Sequence, residues 1–102
     1  MKYVLVCEDE TAIREFVSIN LKRCGYGVLE AAYGEEAVRI YKEHSFDIVL
    51  AILDLMLPQM NGFQVCQWLR TQSETMGIIM LTALSRENEK IQALKMGADD
   101  YI

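Results

Sequence analysis

Short apolar runs alternate with segments of helical periodicity along the whole sequence, and this alternation limits the fold more than any other feature. Apolar runs cover residues 3–7, 48–53 and 78–81, a weaker one covers residues 27–31, and residues 101–102 open a fifth. Such runs are typical of strands that are covered on both faces. A helix between two strands lets the chain cross back over the sheet and pair them in parallel. The pattern predicts an α/β fold with a doubly wound parallel sheet.

Four helices are predicted between these strands. The second is expected over about Gly34 to Glu43, the third over Phe63 to Thr71 and the fourth over about Glu87 to Met96. The first covers residues 11–24, where apolar side chains recur at intervals of three and four and are expected to face the core: Ile13, Phe16, Val17, Leu21 and Cys24. Because no linker or repeat divides the sequence, residues 1–102 are predicted to form a single domain.

The composition argues against several classes of protein. The chain has 102 residues, of which 52% are hydrophobic, enough for one small core. Its net charge of −5 argues against direct binding to nucleic acid or to an anionic membrane. The apolar runs are far shorter than the about 20 residues of a membrane-spanning helix. The amino terminus lacks a signal-peptide cleavage site, so a cytoplasmic location is expected.

The three cysteines, Cys7, Cys24 and Cys66, are odd in number and widely spaced. This spacing fits neither a disulfide framework nor a zinc cluster. All three are therefore predicted to be small hydrophobic residues of the core.

Polar side chains follow the predicted strands at the point where each strand ends. Glu8 and Asp9 come after the first strand, Asp54 after the third and Thr82 after the fourth. The carboxyl ends of parallel strands meet at one edge of the sheet, where such folds bind ligands. Three converging carboxylates repel one another unless they are protonated or held by a cation, and oxygen ligands favour Mg²⁺. Asp54 beside such an ion is a candidate nucleophile toward phosphorus.

Four segments occur in the order that is typical of one known family. They are Glu8-Asp9, Asp54-Leu55-Met56-Leu57-Pro58 with Asn61-Gly62, Leu81-Thr82-Ala83, and Gly97-Ala98-Asp99-Asp100-Tyr101-Ile102. Together they span nearly the whole chain, which resembles the receiver domain of two-component response regulators. The resemblance implies a flavodoxin-like doubly wound parallel sheet built from repeated βα units.

The resemblance also implies a role for each matching residue of the acidic edge. Asp54 would accept a phosphoryl group from a sensor histidine kinase or from a small acyl phosphate. Mg²⁺ would be held by Asp9, by Asp54 and by the backbone carbonyl of Met56, and Glu8 would act through a metal-bound water. The domain would thus be a phosphoacceptor that regulates an output, not an enzyme with an external substrate.

The signal would then reach the surface of the fourth helix and fifth strand. The resemblance makes Thr82 the switch hydroxyl and Tyr101 the switch aromatic. The segment 97–102 is most similar to regulators whose receiver precedes a winged-helix DNA-binding domain, so the expected output is transcription, through an effector domain that this sequence does not include. Residues expected on a homodimer interface at this surface are Lys90, Ile91, Leu94, Asp99 and Asp100.

Two features depart from the family pattern. Family members continue past the position of Ile102, through a lysine and a fifth helix, so this sequence is expected to be a receiver that lacks its last helix. Six apolar residues also separate Asp47 from Asp54, where the family usually has fewer. We expect the loop before the strand to absorb the extra length, so that Asp54 keeps its position.

Two other functions stay open on the sequence alone. One is an interaction module that works without phosphorylation. The other is a Mg²⁺-dependent aspartyl-phosphate hydrolase, although such enzymes usually carry a second aspartate two residues after the nucleophile, where this chain has Met56.

Overall fold

A computed structural model describes residues 2–55, 57 and 59–81 and the backbone of residues 100–101. Its strands and helices are β1 (Tyr3–Cys7), α1 (Thr11–Arg23), β2 (Gly27–Ala31), α2 (Gly34–His44), β3 (Ile48–Asp54), α3 (Gly62–Gln72), β4 (Gly77–Leu81) and β5 (Asp100–Tyr101). The predicted fourth helix and Ile102 lie outside the described residues. Within the described part of the chain, no helix is long and apolar enough to cross a lipid bilayer.

The strands form one parallel sheet in the order β2-β1-β3-β4-β5. This is the flavodoxin-like order, in which the chain reverses its direction of winding beside β1. The predicted α/β fold with a doubly wound parallel sheet is therefore confirmed. The order also makes β1 and β3 direct neighbours, so residues that follow them lie side by side.

Helices pack on both faces of the sheet, and each face has its own cluster of apolar side chains. Alternate residues along a strand point to opposite faces, so β1 contributes to both clusters. The cluster under α2 and α3 includes Leu5, Cys7, Leu53, Ala37, Tyr41, Val65, Cys66 and Leu69. The cluster under α1 includes Val4, Val6, Ile52, Val17 and Leu21. Burial of these side chains stabilises the fold by roughly 25 cal/mol per Å² of apolar surface.

The face that α1 buries is narrower than the sequence predicted. Val17 and Leu21 pack against the sheet, and Ser18 between them is buried. Phe16, in contrast, is 71% exposed, and Ile13 is also exposed. Residues three and four apart share a helix face, and Phe16 lies about 100° round the helix from Val17. The prediction that Phe16 and Ile13 belong to the core was wrong.

Cys24 is exposed, which corrects the prediction that all three cysteines are core residues. Cys7 and Cys66 are buried as predicted, on β1 and α3. Helix α1 ends at Arg23, and Cys24 follows as its carboxyl-terminal cap. Beyond the last helical turn the side chain no longer lies on the stripe that faces the sheet, so the helical spacing that predicted its burial does not apply.

A bulge in β3 takes up part of the extra length that precedes Asp54. Tyr3 of β1 pairs with Ile48, but Val4 pairs with Leu50, so Val49 has no counterpart in β1. Pairing is regular from Leu50 onward. The preceding turn stays tight, because the Asp47 N–H donates to the His44 carbonyl at 2.9 Å. One residue of the extra length is therefore accommodated within β3, and Asp54 keeps its expected place at the end of the strand.

Candidate functional site

Three carboxylates meet at the carboxyl edge of the sheet. Glu8 and Asp9 directly follow β1, and Asp54 is the last residue of the neighbouring strand β3. One carboxylate oxygen from each residue lies within 4.8 Å of those of the other two. Glu8 is buried, with 4% of its surface exposed, whereas Asp54 is half-buried and Asp9 is exposed. The structure thus brings together the three acidic residues that the sequence placed at this edge.

Burial and neighbouring acidic groups perturb the carboxyl group of Glu8. Burial raises its pKa to about 7, and a side-chain hydrogen bond with Asp54 and the charges of Asp54 and Asp9 act in the same direction. The N–H of Glu10 opposes this shift by donating to Glu8 Oε1 at 3.2 Å. A bound cation would relieve the same repulsion. Because every donor of the cluster is oxygen, the cluster fits a hard divalent cation such as Mg²⁺.

Arg14 ties the acidic loop to two other elements. Its Nη1 donates to the backbone carbonyl of Glu8 at 2.7 Å, and its Nε lies 3.5 Å from Glu30 Oε1 on β2. The N–H of Glu8 donates to the Ala31 carbonyl at 3.0 Å, which adds a second link to β2. Sequence reasoning missed Arg14, although its position in the first turn of the helix that follows the acidic pair is a signal that could have found it.

The backbone after Asp54 is fixed by the start of α3. A Cβ added at Gly62 would lie 2.3 Å from the Asp54 carbonyl oxygen, so the two backbones touch and only glycine fits. Asn61 caps α3 by accepting from the Gln64 N–H at 3.0 Å, while Gln64 accepts from the Asn61 N–H at 2.9 Å. This capping box stabilises the first turn of α3, and the Gly62 N–H holds that turn beside the end of β3 by donating to the Leu55 carbonyl at 3.2 Å.

Cys7 lies directly before the acidic pair and faces the core below it. Burial raises the pKa of its thiol to about 12, with a further contribution from the charge of Asp54. The thiol therefore stays protonated at neutral pH and behaves as a small apolar side chain.

The remaining predicted residues lie at or beyond the limits of the described structure. Tyr101 is in β5, where its backbone pairs with Met80, and Asp100 pairs with Ile79. The side chains of both lie outside the described residues. So do the other predicted residues of the site and of the dimer interface, namely Met56, Thr82, Lys90, Ile91, Leu94 and Asp99.

A sequence model of the response regulator receiver domain matches residues 4–102, nearly the whole chain. The chain belongs to the response regulator receiver family. Its predicted membership is therefore confirmed.

Similar proteins agree with this assignment. A probable transcriptional regulator, ycf27 of Porphyridium aerugineum, is 48% identical over 97% of this receiver. The receiver spans 40% of the length of that relative. A response regulator receiver domain protein from Clostridium thermocellum has a TM-score of 0.93 and 28% identity, covering all of this chain and 81% of that one.

One similar structure is described together with a metal ion. It is a complex of CheX, CheY, BeF₃ and Mg²⁺ from Borrelia burgdorferi, with a TM-score of 0.87 and 29% identity. The likeness covers 99% of this receiver and 76% of that chain.

Proposed function

We propose that this receiver is a phosphorylation-activated switch of a two-component system, in which Asp54 accepts a phosphoryl group from a sensor histidine kinase. The observation that carries the proposal is the carboxylate cluster, in which oxygens of Glu8, Asp9 and Asp54 lie within 4.8 Å of one another at the carboxyl edge of the sheet. Such a cluster concentrates negative charge at the place where the anionic phosphoryl group would arrive. Chemistry at this edge therefore needs a cation, and Mg²⁺ suits the oxygen donors.

The proposed transfer forms one bond and breaks one bond. A carboxylate oxygen of Asp54 attacks phosphorus, and a P–O bond forms as the P–N bond to the kinase histidine breaks. The electron pair of the broken bond stays with the imidazole nitrogen. Asp54 meets the requirement for accessibility because it is half-buried, at the end of a strand rather than inside it.

Four groups would hold the metal in this proposal. Asp9, Asp54 and the backbone carbonyl of Met56 would bind Mg²⁺ directly, and Glu8 would bind through a water. When bound, Mg²⁺ supplies positive charge that offsets the repulsion between the carboxylates and the phosphoryl oxygens. The burial of Glu8 supports its indirect role, because a side chain with 4% exposure has little room to move toward an incoming ion.

The proposed output is control of transcription in the cytoplasm. The relative ycf27, described as a probable transcriptional regulator, supports this output.

Thr82 would act as the switch hydroxyl and Tyr101 as the switch aromatic, and the fourth helix and fifth strand would carry the changed surface. Dimerisation through Lys90, Ile91, Leu94, Asp99 and Asp100 would follow, and DNA would be contacted by a separate effector domain. The domain would lose its phosphoryl group by hydrolysis and would turn over no external substrate.

Intact mass measurement after incubation with acetyl phosphate tests the proposal. We expect a gain of one phosphoryl group that requires Mg²⁺ and is abolished by Asp54→Asn. Asp47→Asn is the matched control, because Asp47 is an exposed aspartate in the turn before β3 and outside the cluster. This control is expected to be modified like the unaltered chain.

The opposite results have clear meanings. Modification of Asp54→Asn would assign the phosphoryl group to another residue. Failure of the unaltered chain to be modified, with partner binding that is unaffected by Asp54→Asn, would favour the interaction module that works without phosphorylation.

A further inference from the structure

We propose that Arg14 is a positioning residue for the cation site, because its guanidinium fixes the peptide between Glu8 and Asp9. This inference rests on the cation site of the proposed function and adds a residue outside the carboxylate cluster. Arg14 touches neither the cation nor the phosphoryl group in this proposal. It acts through the backbone of the acidic loop.

The contact geometry gives Arg14 two anchors. Nη1 donates to the Glu8 carbonyl at 2.7 Å, a charge-assisted hydrogen bond, and Nε lies 3.5 Å from Glu30 Oε1. The Arg14 side chain is 18% exposed and that of Glu30 is 38% exposed, so the pair is partly shielded from water. A guanidinium held between a strand carboxylate and a loop carbonyl has little freedom to turn.

The Glu8 carbonyl is the group through which Arg14 reaches Asp9. That carbonyl and the N–H of Asp9 belong to one planar peptide unit, so fixing the oxygen fixes the orientation of the plane. The orientation of the plane in turn limits where the Asp9 side chain can point. Asp9 is exposed and, unlike Glu8, has no burial to hold it, so its position depends on the backbone.

The rest of the loop is already held at its two ends. The Glu8 N–H donates to the Ala31 carbonyl at 3.0 Å, and the Arg14 N–H donates to the Glu10 carbonyl at 3.0 Å. The Glu10 N–H donates to Glu8 Oε1. The peptide that joins Glu8 to Asp9 lies between these fixed points, and the Arg14 side chain contacts it.

Mg²⁺ titration by calorimetry on the whole chain, compared with variants, tests this role. Loss of a residue that orients a metal ligand typically weakens binding about 10-fold or more, and we expect Arg14→Gln to raise the Kd for Mg²⁺ by about 10-fold. Arg39→Gln is the matched control for charge, because Arg39 also pairs with a glutamate, Glu36, at 3.5 Å, but on α2. Its Kd is expected to match that of the unaltered chain.

A second measurement needs no metal. Hydrogen exchange followed by NMR is expected to show faster exchange at the amides of Glu8 and Glu10, the two hydrogen-bonded amides of the loop, in Arg14→Gln, with the rest of the sheet unchanged. Glu30→Gln keeps Arg14 but removes the negative charge of its second anchor, so a smaller change in the same direction is expected. This variant also keeps the inference testable if Arg14→Gln does not fold.

Each remaining outcome would overturn the inference. An equal Kd for Arg14→Gln and the unaltered chain would do so, and so would equal weakening by Arg14→Gln and Arg39→Gln. Unchanged exchange at the amides of Glu8 and Glu10 would also do so, and all three results would leave the proposed function intact. Absence of Mg²⁺ binding by the unaltered chain would overturn the cation site itself and the inference with it.

Discussion

The carboxyl groups of Glu8 and Asp54 approach each other at the edge of the sheet, with oxygens within 4.8 Å. Two carboxyl groups this close can share a hydrogen bond only when one of them carries a proton, because ionised carboxylates have no hydrogen to donate. Burial first, and then this hydrogen bond and the neighbouring charges, raise the pKa of Glu8 from 4.5 to about 7. Because the pKa of Glu8 differs between the folded and unfolded chain, the free energy of unfolding is expected to depend on pH.

The folded chain binds the Glu8 proton more tightly than the unfolded chain does. The contribution of Glu8 to stability is therefore fully present below pH 4.5 and is lost as the pH rises to about 7. Glu8→Gln removes this titration and keeps an acceptor for the Glu10 N–H. We expect it to exceed the unaltered chain in stability at pH 8 by on the order of 1–3 kcal/mol, a difference that shrinks toward pH 5. Urea unfolding without divalent cations measures it, and a difference independent of pH would contradict the prediction.

Thiol reactivity follows from the burial of the cysteines. Cys24 is exposed, whereas Cys7 and Cys66 are buried and the pKa of Cys7 is raised to about 12. We expect Cys24 to react rapidly with a disulfide reagent at pH 8, because the thiolate is the reacting form and needs access to solvent. Cys24→Ser should abolish the rapid reaction, and urea should expose the buried thiols. Rapid labelling of Cys7 in the folded chain would disprove this account of its environment.

Gly62 is expected to tolerate no side chain. A Cβ at this position would lie 2.3 Å from the Asp54 carbonyl oxygen and 2.9 Å from Leu55 Cα, both of which are backbone atoms. We expect Gly62→Ala to lower the free energy of unfolding by about 2–3 kcal/mol through overpacking. Gly77→Ala is the control, because its Cβ would meet the movable Leu50 Cδ1 at 2.9 Å. Chemical denaturation should show the smaller loss for Gly77→Ala, and equal losses would count against the backbone contact.

The two sides of α1 should respond differently to truncation. Phe16 is mostly exposed, so Phe16→Ala should change the free energy of unfolding by no more than about 0.5 kcal/mol. Leu21 packs on the sheet, and Leu21→Ala should cost about 1–2 kcal/mol from lost packing. Thermal or urea unfolding of both variants measures the contrast. A larger loss of stability for Phe16→Ala than for Leu21→Ala would mean that Phe16 packs in the core, as its place in the apolar pattern had predicted.

The sequence predicted the order of strands and helices along the chain because strand and helix segments differ clearly in the spacing of their apolar residues. It predicted a parallel sheet because a helix between two parallel strands nearly always crosses over the sheet in the right-handed sense. It also predicted that Glu8, Asp9 and Asp54 would converge, since parallel neighbouring strands end at the same edge. These inferences depend on the general geometry of sheets. They do not depend on how any particular side chain packs.

Other features depended on packing and were beyond the sequence pattern. The spacing of apolar residues in α1 does not say which of two adjacent ones, Phe16 or Val17, faces the sheet. The link from Arg14 to the Glu8 carbonyl is a contact between a side chain and a backbone oxygen, which the position of Arg14 in the first helical turn after the acidic pair suggests but does not determine. The bulge at Val49 similarly depends on pairing between β1 and β3, which a run of six apolar residues leaves undetermined.

That bulge makes the two ends of β3 independent of each other. Regular pairing from Leu50 to Asp54 holds the acidic end against its neighbours, while the extra residue is confined to the opposite end of the strand. Changes in length at the far end can therefore accumulate without altering the distance between Asp54 and the other carboxylates. The end of β3 with the bulge can therefore accept a change in chain length, whereas the end with Asp54 is held in a fixed register. The carboxylate cluster lies at the end with the fixed register.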